Sequence, residues 1–300
     1  MRLSGAIRLK LRRYDPQAVR AQAQHDYCIF SACLHRLRAH MPDLLGKRVL
    51  DIGCGRRYPW TLLLHGSGAH VTGIDLDYVS TSLGLRQLGI MAKRMGIRRA
   101  LKRTAREVLE RPFYWRALRR ACGFRLKPAE LDIRQMDATH LDFPDATFDL
   151  VVSNAVFEHI ADVPGVAKEM RRALKPGGLA YLAVHLFPSL SGGHNVPRGI
   201  PGTDVLILGD VPPWDHLRDN RCPSKEYLNR LRESEYRAVF EKEFEILAWQ
   251  TQFTEPAWVR QYLTPGVRAA LAAYSEEELL KRSIAIVLRK SAGLGYQPAP

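Results

Sequence analysis

Short apolar segments alternate with amphipathic segments along most of this chain. Val49–Ile52 and Val71–Ile74 are two apolar runs that lead into acidic or glycine residues, and Leu179–Leu186 is a longer run of the same kind. Segments with apolar residues at helical spacing lie between these runs. Apolar runs separated by helical segments are typical of parallel strands that are covered on both faces. The pattern therefore predicts an α/β fold with a doubly wound parallel sheet.

Local start and stop signals predict the other elements. Val163–Leu174 has helical spacing and is followed by Lys175-Pro176-Gly177-Gly178, a sequence that ends a helix. Pro59 suits the first turn of another helix. The predicted helices are Pro16–Arg38, Pro59–Leu64, Val163–Leu174 and Ser275–Lys281, and two further strands are predicted at Phe244–Trp249 and Ser283–Leu288.

An acid and two glycines follow the first predicted strand. Asp51, Gly53 and Gly55 form an Asp-x-Gly-x-Gly motif, and Asp75 ends the second strand 24 residues after Asp51. A tight turn between strand and helix exposes backbone N–H groups to a ligand, and the second carboxylate suits the paired hydroxyls of a ribose. A dinucleotide fingerprint would need a third glycine where Tyr58 stands. The sequence predicts a nucleoside-binding site of another kind.

Further motifs follow in a characteristic order. They are Gln135-Met136-Asp137-Ala138, the run Phe148–His159 with Glu158-His159 at its end, and Leu174–Gly178 before the fifth predicted strand. With the glycine motif, they resemble the class I S-adenosylmethionine-dependent methyltransferases, in the group with a Glu-His pair after the fourth strand. The resemblance covers about Leu45 to Leu186, just under half of the chain. It implies a Rossmann-like sheet of seven strands, closed by Phe244–Trp249 and Ser283–Leu288 as an antiparallel pair.

The resemblance also implies which residues bind S-adenosylmethionine. The loop of Asp51, Gly53 and Gly55 would lie beneath the methionine part, and Asp75 would bind the ribose hydroxyls. Asp137 would bind the adenine amino group, with Ala138 donating its backbone N–H. Leu76 is a further expected cofactor contact, and Asn154 is expected beside the transferring methyl. Arg57 stands where the family often has a third glycine, and a side chain there would crowd the cofactor or shift the next helix.

Methyl transfer to a hydroxyl needs alignment and a group that takes the proton. Histidine is the side chain best matched to this task at neutral pH, and the reaction requires no metal. Three histidines fall near the ends of strands four and five: His159, His185 and His194. We predict His159 and His194 as catalytic candidates, with structural support as the alternative for His159, and a buried structural role for His185.

The segment after the fifth strand is rich in Gly and Pro and is predicted to be an acceptor-binding cap. Within it, Trp214, Asp215 and His216 are candidate acceptor contacts, with packing of Trp214 on the core as the alternative. We predict methyl transfer to an oxygen of a small, glycan-linked or lipid-linked acceptor. An RNA methyltransferase and a catalytically silent interaction protein are the two alternatives.

Positive charge is concentrated in one insertion. Residues Gly84 to Lys127 hold fourteen Lys or Arg against two Glu, so this segment carries most of the chain's net charge of +14. Helical spacing predicts an amphipathic helix that ends at Pro112 and a second short helix from Phe113. Such a segment can lie on an anionic membrane, hold a polyanionic substrate or form a solvated lid. Nucleic acid is disfavoured, because Asn154-Ala155-Val156-Phe157 lacks the Pro-Pro-aromatic sequence of enzymes that methylate base nitrogens, and no cysteine lies there to attack cytosine.

Cysteine usage and apolar segments predict the compartment. The five cysteines are scattered without metal spacing, which indicates reduced, mostly buried thiols in a cytoplasmic protein, peripheral at the inner membrane face if the insertion docks there. No apolar run is long enough to cross a bilayer, and no secretory signal is recognised. The predicted segments are a helical lead-in (1–45), the cofactor-binding core (46–187, with the insertion at 84–127), the cap (188–243), the closing strands (244–290) and a tail (291–300).

Overall fold

The computed structural model describes residues 16–77, 89, 93, 96–196 and 210–291, with backbone alone for residues 99–109. The helices and strands of the described residues are α1 (Pro16–Leu37), β1 (Arg48–Ile52), α2 (Pro59–Gly66), β2 (His70–Asp75), α3 (Ile97–Cys122), β3 (Asp132–Gln135), β4 (Phe148–Asn154), α4 (Val163–Ala173), β5 (Leu174–His185), α5 (Glu233–Glu243), β6 (Glu245–Thr254), α6 (Pro265–Ala270), α7 (Glu276–Leu280) and β7 (Lys281–Arg289). Short 3₁₀ turns lie at Pro128–Glu130, Phe157–His159, Asp215–Leu217 and Ala257–Tyr262.

The strands form a seven-stranded, mostly parallel sheet in the order β3-β2-β1-β4-β5-β7-β6. β1 pairs with β2, β2 with β3, and β4 with β5 in parallel registers. β7 is antiparallel to both β5 and β6. The predicted fold class is confirmed, and the last two predicted strands are the antiparallel pair that the resemblance implied.

The described chain divides into two compact units: the first comprises the residues up to Met136 and the second comprises Asp137–Val196 and residues 210–291. In the first unit, apolar residues of β1 and α2, such as Leu50 and Leu63, are fully buried. α1 packs against α2 through the edge-to-face pair Phe30 and Trp60, whose ring centroids are 5.8 Å apart. α1 also contacts α3, where the Tyr114 hydroxyl donates a hydrogen bond to Asp26.

The helix of the basic insertion corrects one prediction. Pro112 does not end a helix: α3 continues through it for 26 residues, from Ile97 to Cys122. A proline inside a helix removes one backbone hydrogen bond and costs stability. Tyr114 and Leu118, on the far side of the proline, are 1% and 0% exposed, so their burial offsets that cost. Gly123, with φ +77°, then ends the helix in the left-handed conformation.

The second unit contains the four strands β4, β5, β7 and β6, with α4 and α5 packed against them. α4 ends at Ala173, one residue before the predicted end at Leu174. β5 starts at once, at Leu174, so the Lys-Pro-Gly-Gly sequence lies inside the strand. Gly177 there has φ +73°, which bends the chain before the buried part of the strand. Tyr181, Leu182 and Val184 in that part are completely buried.

Two observations concern the predicted environment of the chain. Among the described residues, every helix is too short or too polar to span a lipid bilayer. The five cysteines are all free thiols, but only Cys33 and Cys54 are buried, and Cys28 is exposed. The expectation of mostly buried thiols was therefore wrong, because Cys28, Cys122 and Cys222 lie on solvent-facing parts of their segments.

Candidate functional site

The glycine turn, residues 51–57, follows β1 in the first unit. Gly53 and Gly55 have φ +73° and +66°, a region that residues with a Cβ rarely adopt. The backbone N–H groups of Gly53 and Cys54 both donate to the carbonyl of Ile74, at 2.8 and 3.0 Å. A Cβ added to Gly55 would meet no atom within 4 Å. The turn is therefore tied to β2 on one side and open on the other, as a loop that cradles a ligand needs to be.

Asp75 is fixed by the glycine turn itself. Its Oδ2 accepts the N–H of Gly55 at 2.9 Å, and its Oδ1 accepts the N–H of Asp77 at 2.8 Å. Burial raises the pKa of Asp75. Each carboxylate oxygen has a second lone pair beyond these bonds, which suits a pair of ribose hydroxyls. The adjacent Leu76 is 71% exposed, an apolar side chain that a flat ring can cover. These residues fit the nucleoside part of S-adenosylmethionine.

Asp51 lies deeper than Asp75 and is only 2% exposed. Thr61 Oγ1, from α2, donates a hydrogen bond of 2.6 Å to Asp51 Oδ2. Burial raises the pKa of Asp51 to about 7, since a charged carboxylate is poorly solvated there. Asp51 therefore connects the base of the glycine turn to the following helix.

Arg57 does not leave its side chain loose in the turn. Its guanidinium lies 3.6 Å from the Glu110 carboxylate and 5.0 Å from the centre of the Tyr114 ring. The Trp115 indole N–H donates to the Arg57 carbonyl at 3.3 Å. Tyr58, the residue after the turn, also has a positive φ, +36°. The Arg57 side chain therefore packs against the second half of α3, a long-range contact that the sequence spacing did not reveal.

The predicted adenine-binding residues belong to the second unit. Asp137 is exposed, and its Oδ1 accepts hydrogen bonds from the N–H and hydroxyl of Thr139, which lower its pKa. Ala138 comes next in this turn. Asn154 is the last residue of β4 and lies beside Ala183 of β5. Asp137 and Ala138 follow the end of β3 and Asn154 ends β4, as the resemblance implied, and the contacts of these residues with the cofactor stay predictions.

Three histidines of the second unit form one group, the histidine cluster: His159, His185 and His194. The ring centroid of His194 lies 5.0 Å from that of His159 and 5.0 Å from that of His185. His185 ends β5 and is 6% exposed, as predicted for a buried histidine. His159 Nδ1 lies 2.8 Å from the carbonyl oxygen of Tyr227. The two predicted catalytic histidines, His159 and His194, therefore lie in contact with each other.

A chain of polar contacts runs through this cluster. Glu255 Oε1 accepts from the Ser191 N–H at 2.9 Å and from the Ser191 hydroxyl at 2.7 Å. Ser191 Oγ lies 3.0 Å from His185 Nε2, and His185 Nδ1 lies 3.0 Å from His194 Nε2. His194 Nδ1 lies 3.5 Å from the Glu226 carboxylate. Sequence reasoning missed Ser191, Glu226 and Glu255, because Ser191 and Glu255 are 64 positions apart and no local pattern links them.

Two glycines set the path of the loop that carries His194. A Cβ on Gly192 would lie 2.3 Å from the carbonyl oxygens of Leu186 and Phe187, and a Cβ on Gly193 would lie 2.3 Å from the His216 ring. Neither position admits a larger residue without movement of the chain. His194 itself has φ +50°, a left-handed conformation that costs energy in residues other than glycine. Strained backbone at a side chain with proton-transfer chemistry is typical of functional loops.

A cavity of about 470 Å³ lies beside the histidine cluster in the second unit. Its lining is mixed, with Phe187, His216, Glu226, Tyr227 and Arg230 among the side chains. His216 Nε2 lies 2.9 Å from the Phe187 carbonyl oxygen, and burial lowers the pKa of His216 to about 4. His216 is therefore neutral at physiological pH, and the charged groups of the wall are Glu226 and Arg230.

The structure changes the roles of Trp214 and Asp215. Trp214 is completely buried in a hydrophobic cluster, and Asp215 is 2% exposed. The Asp215 carboxylate accepts the backbone N–H groups of Arg221 and Cys222, at 3.1 and 2.8 Å. The hydrophobic cluster around Trp214 comprises Leu190, Val259, Leu263, Leu271 and Leu279. Of the three predicted acceptor contacts, only His216 lines the cavity, because Trp214 fills the core and Asp215 closes a loop.

Two groups of donor atoms among the described residues have the composition of a metal site: Glu158, His185 and His194, and His159, His194 and Glu226. Each residue presents one donor atom, and the atoms of each group lie within 4.8 Å of one another. In the first group, the two imidazole nitrogens are 3.0 Å apart. The contact between His185 and His194 therefore has the length of an N–H···N hydrogen bond.

Comparisons with known proteins show that this chain is similar to methyltransferases. A family model described as a methyltransferase domain matches residues 20–242. The chain is 28% identical over 166 residues to a sterol 24-C-methyltransferase of Gibberella zeae, covering 55% of this chain and 33% of that protein. It is 30% identical over 150 residues to a phosphatidylethanolamine N-methyltransferase of Cereibacter sphaeroides, covering 50% and 56%. It is 27% identical over 191 residues to a ubiquinone biosynthesis O-methyltransferase of Idiomarina loihiensis, covering 63% and 61%. The match spans less than two thirds of each relative.

Proposed function

The chain belongs to the class I S-adenosylmethionine-dependent methyltransferase family, and from that premise we propose that it transfers a methyl group to an oxygen of a small, glycan-linked or lipid-linked acceptor. S-Adenosylmethionine is the cofactor of the family. The three relatives are named for transfer to carbon, nitrogen and oxygen, so they leave the acceptor atom open. The choice of oxygen rests on the chain's own residues.

In this proposal the first unit contributes Gly55, Asp75 and Leu76 to the cofactor contacts. The open side of Gly55 receives the methionine part, and Asp75 binds the ribose hydroxyls through its remaining lone pairs. Leu76 covers the adenine ring, and Asp137, Ala138 and Asn154 act as the resemblance implies. The bound cofactor supplies an electrophilic methyl group on a sulfonium, which needs no further activation. The protein's own task is to hold the acceptor in line and to remove its proton.

The observation that carries the choice of oxygen is the position of His194 in the histidine cluster. A hydroxyl is a poor nucleophile until a base takes its proton, and a neutral imidazole is suited to that task. His194 Nδ1 contacts Glu226, which lines the cavity. His159 lies against the same imidazole and holds the backbone of Tyr227, another lining residue. We assign the base to His194 and a supporting position to His159.

The cavity favours a polar acceptor. Glu226 and Arg230 place opposite charges on its wall, and Asn220 and Ser224 add polar side chains. Phe187 offers one apolar face, with the Arg230 guanidinium 5.8 Å from its ring centre. A hydroxylated ring with one apolar face, such as a sugar unit, matches this mixture better than an extended acyl chain.

The proposal is tested with the purified protein, methyl-labelled S-adenosylmethionine and a panel of hydroxyl acceptors. The panel comprises free sugars, sugar nucleotides and lipid-linked sugars, with amine analogues of the same compounds as the comparison. We expect label on the hydroxyl compounds and none on the amine analogues. Label confined to amines would contradict the choice of oxygen. No binding of the cofactor by calorimetry would support the catalytically silent alternative.

We further propose that α3 rests on an anionic lipid surface. Phe113 is 69% exposed, and Arg116, Arg119 and Arg120 are exposed beside it on the same part of the helix. An aromatic ring with neighbouring cations suits the boundary between headgroups and acyl chains. The buried face of the same segment, with Tyr114 and Leu118, belongs to the core of the first unit. Only the outer face is therefore free for such a contact among the described residues.

A further inference from the structure

Glu255, Ser191, His185 and His194 form a continuous series of hydrogen bonds, here called the relay. We infer that the relay fixes the tautomer of His194, with its proton on Nε2 and its lone pair on Nδ1, directed at the cavity-lining Glu226. Glu255, Ser191 and His185 are then positioning residues for the base. The inference rests on the proposed function, because it names the groups that prepare the base assigned there.

The direction of the relay is set at Glu255. A backbone N–H can only donate, so the Ser191 N–H at 2.9 Å makes Glu255 Oε1 an acceptor. The Ser191 hydroxyl lies 2.7 Å from that same oxygen and donates its single proton to it. The hydroxyl oxygen can therefore only accept from its next neighbour. Glu255 is 5% exposed, and Ser191 is 5% exposed, so bulk water does not compete for these bonds.

Two imidazoles carry this direction onward. Ser191 Oγ accepts from His185 Nε2 at 3.0 Å, so Nε2 bears the proton of His185. A neutral imidazole has one N–H, which leaves a lone pair on His185 Nδ1. His194 Nε2 lies 3.0 Å from that lone pair and must donate to it. Neutral His194 therefore keeps its own lone pair on Nδ1, where a proton can be taken up.

In the proposed step, His194 Nδ1 receives the proton of the acceptor hydroxyl. The acceptor's O–H bond breaks as an N–H bond forms at His194 Nδ1. A bond forms between the acceptor oxygen and the methyl carbon, and the carbon–sulfur bond breaks with its electron pair left on sulfur. The resulting imidazolium of His194 donates at both nitrogens, to His185 Nδ1 and to the Glu226 carboxylate 3.5 Å away. The positive charge formed in the step is thus placed beside a carboxylate.

The loop backbone holds the last member of the relay in place. The left-handed conformation of His194 and the two crowded glycines before it, Gly192 and Gly193, allow little freedom to this segment. The imidazole also packs between the rings of His159 and His185. A fixed ring is what a defined tautomer requires, because rotation about χ2 would put a ring carbon where each nitrogen lies and break the contact with His185.

The tautomers are measured directly by nitrogen NMR. The full chain is labelled with ¹⁵N-histidine, and long-range ¹H–¹⁵N spectra are recorded without added ligand at a pH where the rings are neutral, with His185→Gln and His194→Gln used to assign signals. We expect both His185 and His194 to carry the proton on Nε2. A proton on Nδ1 of His194, or averaged tautomers, would overturn the inference.

Two variants of His185 distinguish the hydrogen bonds of this side chain from the packing of its ring. The side chain of His185→Gln keeps an acceptor oxygen and a donor N–H₂ in the relay, whereas His185→Phe keeps a ring and has neither. We expect His185→Phe to lower kcat about 10- to 100-fold, a part of what a general base contributes, with the KM for S-adenosylmethionine unchanged. His185→Gln should retain most of the activity. Equal losses in the two variants would contradict the relay.

The relay and the proposed function fail in different ways. Averaged tautomers together with a large loss in His194→Gln would overturn the relay and leave the base in place. A fixed tautomer together with full activity of His194→Gln would overturn both the base and the positioning role. Activity that disappears on dialysis against a chelator and returns with Zn²⁺ would also overturn the relay, because a cation would then join His185 and His194.

Discussion

The glycine turn and the histidine cluster both follow the end of a β-strand, yet they are built in different ways. The turn is local: Asp51, Gly55 and Asp75 lie within 25 residues, and backbone N–H groups make most of its bonds. The histidine cluster and the groups around it, from Glu158 to Glu255, are brought together through their side chains. A binding loop of the first kind can be recognised as a motif, whereas a site of the second kind exists only in the folded chain.

The two regions also differ in their buried ionisable groups. At the glycine turn, burial raises the pKa values of Asp51 and of the neighbouring Asp75 at the end of β2. The cavity beside the histidine cluster holds His216, whose pKa is lowered to about 4 by the same cause. Burial favours the neutral form in each case. As the pH rises, the buried carboxylates therefore keep their protons to a higher pH than exposed carboxylates, and the buried histidine loses its proton at a lower pH than an exposed histidine.

Replacement of Trp214 by alanine should cause the largest loss of stability. The side chain is completely buried, so its removal leaves a cavity and should cost about 3–5 kcal/mol of unfolding free energy. Urea unfolding measures this cost. Trp258→Ala is the matched control, since Trp258 is 38% exposed and should cost much less. Equal costs would contradict the assignment of Trp214 to the core.

Trp214 also shows why the sequence predicted one region better than the other. The alternation of strands and helices, Asp75 and the Gly53–Gly55 turn could be recognised because each depends on neighbours in the chain. Proximity of His159 and His194 followed from their strand ends. The roles of Trp214 and Asp215 could not be predicted from the sequence. Trp214 packs in the core against Val259 and Leu271, which are far away along the chain.

His216 should make the protein sensitive to acid. Its pKa is about 4 when folded and about 6.5 when exposed, so the unfolded chain binds a proton first as the pH falls. The stability it contributes is present above about pH 6.5 and is lost as the pH falls through about 4, with an upper limit of about 3 kcal/mol. Unfolding curves of wild type and His216→Gln at pH 7 and pH 4 measure it. The variant should lose less stability on acidification, and parallel losses would contradict the burial of a neutral His216.

Asp75→Ala should weaken the binding of S-adenosylmethionine by more than about tenfold. Charge-assisted hydrogen bonds to the ribose are lost, each worth about 1.5–3 kcal/mol. Isothermal titration measures the affinity, and circular dichroism checks the fold. Asp43→Ala, an exposed acid of the same unit, is the control and should bind as wild type does. An unchanged affinity in Asp75→Ala would remove Asp75 from the cofactor site.

The outer face of α3 should give the smallest effect per residue. Each cation near an anionic membrane contributes about 1 kcal/mol, so the combined change of Arg116, Arg119 and Arg120 to glutamine should weaken binding to anionic vesicles strongly and leave cofactor affinity unchanged. Vesicle sedimentation at low and high salt measures this. Exposed cations elsewhere, Arg38, Lys168 and Lys242, provide the control triple variant. Equal binding to neutral vesicles would contradict the docking model, and salt-sensitive RNA binding without vesicle binding would replace it.

The most direct test of the account is a single-turnover measurement of His194→Gln with saturating S-adenosylmethionine and a hydroxyl acceptor. The histidine cluster is proposed to act in proton removal and the glycine turn in cofactor binding, so the variant should transfer methyl about 10²–10⁴-fold more slowly with the cofactor affinity of wild type. His35→Gln, an exposed histidine of α1, should behave as wild type. Transfer by His194→Gln at the wild-type rate would contradict the account.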